Sequence, residues 1–522
     1  MSHTRVQDLL SAIRAKLGNE ARRQIAEAVQ VEPRAVDYWF QQGDTVHLRE
    51  GNLKALVRFA RSIDVDPRQF EVAPPLWRRD LSFEDQLRYD PGPYPESLGF
   101  QSHHVAALGR ALDSYFGTSA GPIAVSPQQM YYLAKTGVAF VTTKTFLPYA
   151  RRPNPPPHIL QFQGEAPTGV AGSGDQRCVV LDDPGSDFRP TRGVGVNLGC
   201  PSPEPAVWIE NVAEAKRLLA ADPETENVLL IVSVAGFAGE RSMGRSQIMD
   251  GYEEAVRLAS TEADSDAIEV NVSCPLVADH LTDLDFLTEI AKRARKAAGD
   301  RQLILKVGPW PNIEEVVRRV GPCVNSISAI NSVYATGVRL DHESEHKGAW
   351  VYGATGLAGA PILRTGLEIC SRIAALRQRA PELRHLTLIG IGGVSRPQDV
   401  ALYEKTGVDL VAGQSAFIED SHFGIRVRRF LDQRLAVEVK TASKRREMAS
   451  YHWAIALERE QQEVHPSNHR RLITIAASVL ADYLEEVGRV DRVANAKKIS
   501  GTLTIDEFRQ RIVHRFKASG GT

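Results

Sequence analysis

At 522 residues, with 43% hydrophobic and 24% charged residues, the chain is too long for one ordinary domain and too apolar for wholesale disorder, a collagen-like repeat or a coiled-coil rod. Lys+Arg 63 against Asp+Glu 64 leaves a formal net charge of −1, which removes the broad basic field of a protein that coats nucleic acid but allows a local basic face. The five cysteines, Cys178, Cys200, Cys274, Cys323 and Cys370, are widely spaced and contain no C-x-x-C pair, so no disulfide framework, zinc site or other metal site is expected. A reducing cytoplasm is the natural setting. A charged start and no run approaching about 18 apolar residues predict a soluble chain without a membrane segment.

Residues 1–73 are predicted to be helical, because apolar residues recur at three and four in LLSAIRAKL and LKALVRFARSI. Within them, 22–43 (RRQIAEAVQVEPRAVDYWFQQG) resemble the helix-turn-helix of phage-repressor-like proteins, with Ile25, Ala26, Val29, Val31, Val36, Trp39 and Gly43 on its core spacing. Gln30 stands where that turn carries glycine. The resemblance implies DNA as a partner; helix packing alone also explains these positions, and a protein-interaction or dimerisation role stays open. Glu32 and Asp37 on the second helix are unfavourable beside phosphates, and 1–73 carry eleven Lys/Arg against ten Asp/Glu. Residues 74–99, rich in proline around Trp77 and Phe83, are predicted to be a linker that packs against something.

From about 100 to 435, short apolar runs alternate with amphipathic helical segments. The candidate strands are 118–125, 138–144, 228–234, 267–273, 303–308, 326–332, 387–393 and 409–415. Repeated βα units with nearly all-apolar strands imply a parallel sheet covered by helices, and eight of them over this length favour a closed (β/α)8 TIM barrel, an α/β fold, over an open doubly wound sheet. The longest interruption, 154–196, is a glycine- and proline-rich excursion on the catalytic face; a lid and a static hairpin decoration are both open. Residues 436–522 return to helix, read as an α-helical C-terminal extension that packs or self-associates.

If these strands are placed correctly, their C-terminal ends bring Lys144, Ser233, Asn271, Cys274, Lys306, Asn331, Ser332, the Gly392–Gly393 pair and 413–415 to one face. The glycines offer backbone N–H groups to a phosphate. Two lysines with two amides suit an electron-rich heterocycle such as a flavin, whose reduced form a lysine stabilises. A solvated surface cation is the plain alternative for either lysine, but Lys306 interrupts an apolar strand and needs a buried partner. Cys274 alone would be an ordinary buried hydrophobe.

AIEVNVSCP (267–275), LILKVGPWP (303–311), AINSV (329–333), GLAG (356–359), LIGIGGV (388–394) and VAGQSAF (411–417), in collinear order, resemble the dihydroorotate dehydrogenase family of FMN-dependent barrels. The resemblance implies an enzyme: an FMN-dependent dehydrogenase or reductase acting on CH–CH bonds, with Cys274 as the proton-transfer base and Lys144 beside it at the catalytic centre. It implies FMN contacts at Ala120, Gly121, Lys144, Asn271, Lys306, Ser332, Gly356, Gly392, Gly393, Gly413, Gln414 and Ser415. On the substrate side it implies Asn271, Asn331 and Ser332, with Leu276, Val196 and Asn197 where the family's pattern is altered. Leu276 replaces an asparagine, Val196 another, and His158 stands where arginine is usual. A site built to bond ring amides loses heavily when those partners become apolar, so the substrate is expected to differ from dihydroorotate. A small-molecule electron acceptor and a homo-oligomer are also expected. The alternatives are a flavin-binding sensor or transcriptional regulator with weak or no catalysis and, on the shared barrel, a tRNA-dihydrouridine synthase.

Overall fold

The computed structural model describes residues 3–4, 6–41, 50–63, 65, 71–72, 74–78, 81–95, 99–100, 102–155, 158–163, 177–181, 193–237, 243–273, 283–339, 354–435, 475–476 and 510–515. Gly43, Cys274, Leu276 and nearly all of 436–522 lie outside the described residues. The chain divides into two compact units, 1–428 and 429–522.

Eight parallel strands form the barrel: β1 (Phe116–Thr118), β2 (Phe140–Thr142), β3 (Leu229–Val234), β4 (Ala267–Asn271), β5 (Gln302–Val307), β6 (Ser326–Ala329), β7 (Thr387–Ile391) and β8 (Leu410–Gly413). Each pairs in parallel with the next from β2 to β8, and β8 returns to β1. The ring closes where the Ala139 amide donates to Phe116 O at 2.8 Å and the Thr142 amide to Thr118 Oγ1 at 3.0 Å. Each of the eight expected runs contains or overlaps a barrel strand. The first is displaced: Phe116–Thr118 is the strand and 119–125 leave the sheet, because Ser119 is the last to bond the neighbouring strand, through Gly413 O, and Pro122 has no N–H to donate.

Helices cover the outside, and local sequence fixes where they start. Pro127–Lys135, between β1 and β2, begins with Pro127 at its first turn and a reciprocal cap in which Ser126 accepts from the Gln129 amide while Gln129 Oε1 accepts from the Ser126 amide. Leu284–Ala298, between β4 and β5, is capped by Asp283, which accepts from two backbone amides.

The barrel has two unlike ends. Its lower interior is apolar, with Phe140, Leu229, Ile231, Ala267, Ile304, Ile389 and Leu410 in one buried cluster. A hairpin of Val105–Ala107 and Arg110–Leu112 adds Leu108 and Leu112 to that cluster and sets Gly109 against Gln302, the first residue of β5. The hairpin therefore plugs the N-terminal mouth. Polar side chains gather at the other end, as the direction of a βα barrel requires for a site.

The 154–196 excursion is neither a free lid nor a lone hairpin. Ile159–Gln163, Arg177–Leu181 and Gly193–Val196 join Val333–Arg339 and Ala354–Gly359 in a closed five-stranded sheet, so two insertions, one after β2 and one after β6, complete each other. The GLAG segment is the end of one of these strands, paired with Gly193–Val196.

In the N-terminal region, Val6–Leu17, Ala21–Val29, Pro33–Gln41 and Glu50–Ser62 are helices around Leu9, Ile13, Ile25, Val29, Val36, Trp39 and Leu56. Gln30 takes the left-handed conformation (φ 58°) that ends the second helix, doing what a glycine ordinarily does there. Thr4 and His3 pair with Glu71 and Val72, tying the ends of this region together.

Candidate active site

The site sits at the C-terminal ends of the barrel strands. Lys306 on β5 is 2% exposed, and its ammonium lies 3.6 Å from Glu269 Oε1 on β4, itself 3% exposed. Among the described residues the Lys306 ammonium has no hydrogen-bond partner closer than that contact, so it keeps donors for a bound group. Glu269 is better satisfied: Ser233 Oγ of β3 donates to Oε1 and Ser328 Oγ of β6 to Oε2, each at 2.9 Å.

One turn higher, Asn271 closes β4. Its Nδ2 donates to Thr145 Oγ1 at 3.1 Å, and its Oδ1 accepts from Asn331 Nδ2 at 3.1 Å and from the Ser273 amide at 3.2 Å. Asn331 Nδ2 also reaches Ser273 Oγ at 3.1 Å, and its Oδ1 accepts from the Ser332 amide. Ser332 lies against Gly356, whose strand neighbour is Val196. Asn271, Asn331, Ser332, Gly356 and Val196 are thus one contiguous patch. Asn197 continues it, accepting from Asn154 Nδ2 at 2.9 Å while its amide bonds His158 O at 2.8 Å.

Lys144, just beyond β2, is buried and donates to Thr145 O at 3.0 Å and Pro201 O at 2.6 Å, with its ammonium 5.7 Å from the centre of the Phe83 ring. It pins the turn after Asn197 beside Asn271. The Pro201 carbonyl it holds lies four residues beyond Asn197, one of the residues the family resemblance places on the substrate side.

On the opposite side, Ala120 and Gly121 follow β1 and meet the end of β8, where the Ser119 amide donates to Gly413 O at 3.1 Å. The Gln414 side chain covers Gly121 so closely that any Cβ there would collide with it, and Gln414 Nε2 is buried with no partner among the described residues. Ser415 begins the short helix that follows. Beyond β7, Gly393 (φ 77°) lies directly on the backbone of Leu363, the first residue of the helix Leu363–Arg379, a contact that leaves no room for a Cβ. Gly392 precedes it, its carbonyl held by Tyr403 OH at 2.6 Å.

The structure therefore brings together every described residue of the expected site, in two clusters: a polar one above β2 to β6, and a glycine-lined one between β7, β8 and β1. Cys274 and Leu276 lie outside the described residues, three and five positions past the end of β4. Sequence reading missed Glu269, Thr145 and Ser328. Glu269 carried a signal, a carboxylate inside an otherwise apolar strand, of the same kind that marked Lys306. It also missed that 74–89 reach the site: Phe83 covers Lys144, Trp77 meets His158 edge-on at 6.3 Å, and the carbonyls of Pro74, Leu76 and Tyr89 are held by Ser421, Gln129 and Ser126. No helix among the described residues is long and apolar enough to cross a membrane.

The Dihydroorotate dehydrogenase family matches residues 206–435. The dihydroorotate dehydrogenase of Dictyostelium discoideum is 22% identical over 388 residues, which are 69% of this chain and 98% of that protein. A dihydroorotate dehydrogenase (quinone) of Pseudarthrobacter chlorophenolicus is 33% identical over 187 residues, 34% of this chain and 49% of that protein. A dihydroorotate dehydrogenase A (fumarate) of Lactobacillus delbrueckii is 28% identical over 179 residues, 33% and 54% of the two chains. The chain thus spans about half the length of these two bacterial relatives. A dihydroorotate dehydrogenase of Eimeria tenella, solved with ferulenol, superimposes with a TM-score of 0.48 at 16% identity, covering 64% of this chain and 85% of that one. The similarity to the dihydroorotate dehydrogenase family thus covers the segment from β3 to β8, which carries Glu269, Asn271, Lys306, Asn331 and Ser332 of the polar cluster.

Proposed function

We propose that this chain is an FMN-dependent oxidoreductase that removes a hydride and a proton from adjacent carbons of a small molecule other than dihydroorotate. The observation that carries the reading is the Lys306 ammonium, buried at the strand ends with donors unspent among the described residues. Such a cation is costly to bury unless a ligand with acceptor atoms completes its shell. Gln414 Nε2, without a partner among the described residues, and the glycine-lined side are a second fit, to a planar ring system with a phosphate tail.

FMN bound here supplies hydride acceptance from a substrate carbon, a two-electron step. Lys306 would hold acceptor atoms of the bound group and stabilise negative charge on it, and Lys144, Asn271 and Ser332 would line the same face. Ala120, Gly121, Gly356, Gly392, Gly393, Gly413, Gln414 and Ser415 bind the remainder of the cofactor. Cys274 takes the proton from the neighbouring carbon, in the thiolate form that accepts one. Asn271, Asn331 and Ser332 orient the substrate, while Leu276 and Val196, with Asn197 beside them, favour a ligand with fewer ring amides than dihydroorotate. A diffusible acceptor or a partner protein carries the electrons away.

The test is anaerobic bleaching of the FMN-loaded protein. Candidate CH–CH substrates are expected to bleach the wild type, and Cys274→Ala is expected to slow this by about a hundredfold or more, the usual worth of a general base. Dihydroorotate is expected to leave the yellow colour unchanged; bleaching by it at the rate of an ordinary enzyme would overturn the substrate assignment, and failure to bind FMN would overturn the whole reading. A second reading, a flavin-binding sensor that reports to a partner through residues 22–43, draws support from the helix pair and its left-handed Gln30. Flavin binding with no turnover of any such substrate would favour it.

A further inference from the structure

Glu269 is absent from every role assigned above, yet the polar cluster converges on it. Its two oxygens take the hydroxyl protons of Ser233 and Ser328, and Lys306 lies against Oε1. A carboxylate accepts and never donates, so these hydrogen bonds have one direction only. Ser233 has a single proton and gives it to Glu269; its 3.0 Å contact with Thr145 Oγ1 is therefore one in which Thr145 donates. Thr145 Oγ1, its proton committed, is left to accept from Asn271 Nδ2 at 3.1 Å. The other end of the Asn271 amide, Oδ1, accepts from Asn331 Nδ2 and from the fixed Ser273 backbone amide, so the relay and the backbone hold the two ends of one side chain.

We infer that Glu269 is a positioning residue for the cofactor face: through Ser233 and Thr145 it holds the Nδ2 end of the Asn271 amide, whose Oδ1 end the Ser273 backbone amide fixes, and directly it holds the Lys306 ammonium. The inference rests on the flavin reading, since Asn271 and Lys306 are the groups that reading places on the cofactor. Without the carboxylate, Ser233 and Thr145 can reverse their hydroxyls, and Asn271 Nδ2 then loses the acceptor that holds that end of its amide on the cofactor face. A purely structural Glu269 would lower stability and leave bound flavin as it is.

The experiment compares FMN affinity and the visible absorption bands of bound FMN in the full-length wild type, Glu269→Gln and Ser233→Ala. Glutamine keeps the shape but brings a donor, and the serine variant cuts the relay to Thr145 while sparing the Lys306 contact. Glu269→Gln is expected to weaken FMN binding about tenfold and to shift the bands, the scale of one disrupted charge-assisted hydrogen bond. Ser233→Ala is expected to shift them in the same direction by less. Wild-type affinity and bands in folded Glu269→Gln would overturn the inference; so would an unchanged spectrum in Ser233→Ala, which also decides the matter should the glutamine variant not fold. Absence of FMN binding by the wild type would instead overturn the flavin reading, and this inference with it.

Discussion

Asp222 shows how far a side chain's neighbours can outweigh its burial. Burial pushes its carboxyl up, but hydrogen bonds from Tyr131 at 2.6 Å, the Glu224 amide at 2.9 Å and Lys135 at 2.9 Å overcome this and hold it at about 2, below its ordinary 3.8. A depressed carboxylate contributes stability that is complete above its unfolded value and is lost as the pH falls through the folded one. The stability difference between wild type and Asp222→Asn is therefore expected to stand at about 1–2 kcal/mol above pH 4 and to vanish toward pH 2, read from urea midpoints at each pH; a difference that stays constant over that range would contradict the assignment. At the same scale, Lys306 and Asn271 were legible in the sequence because each breaks or ends an apolar strand. Glu269 breaks an apolar strand in the same way, but what it and Thr145 do, and much of what holds Asp222, comes from partners far away in the chain, such as Ser328 for Glu269 and Tyr131 for Asp222.

Among the elements, the strap from Pro74 to Tyr89 gives the proline-rich linker a definite task. Gln129, fully buried, accepts from the amides of Val125 and Ser126 at 3.0 Å and donates to Leu76 O at 2.6 Å, so one side chain joins the turn after β1 to the strap. Gln129→Ala strands three buried backbone groups. It is expected to lower unfolding stability by about 2–4 kcal/mol, measured by chemical denaturation, and an effect under about 0.5 kcal/mol would mean that the strap does not depend on this junction. Sequence patterning found the eight barrel strands because each carries its own apolar run, and placed the first too late because strand ends depend on which neighbour still offers a bond. The five-stranded sheet was not legible at all: each of two insertions, separated by the β3–β6 stretch, pairs strands of its own, but the sheet closes only where Val333–Arg339 meets Arg177–Leu181 and Ala354–Gly359 meets Gly193–Val196.

For the whole molecule, the balance of charge bears on what the N-terminal helices can meet. Ion pairs within them, Arg22 with Asp37 at 2.6 Å and Arg23 with Glu20 at 2.7 Å and Glu27 at 3.3 Å, already engage basic side chains, and Tyr38 stands 58% exposed on the second helix of the pair. These ion pairs leave fewer unneutralised basic side chains on this surface for a phosphate backbone. Duplex DNA is expected to bind weakly, with less than about a tenfold loss of affinity between 50 and 200 mM salt; a loss of a thousandfold would show several phosphate contacts and return DNA to the first place.

The class of the fold and the strand-end position of the candidate side chains were legible in the sequence, because a parallel barrel writes each strand as a local apolar run and ends it at the site. Tertiary structure alone decided what those side chains can do. The Glu269–Lys306 pair, the relay to Asn271, the strap over Lys144 and the sheet built from two insertions all join residues far apart in the chain, and hydrogen-bond direction, burial and desolvation exist only once such partners meet.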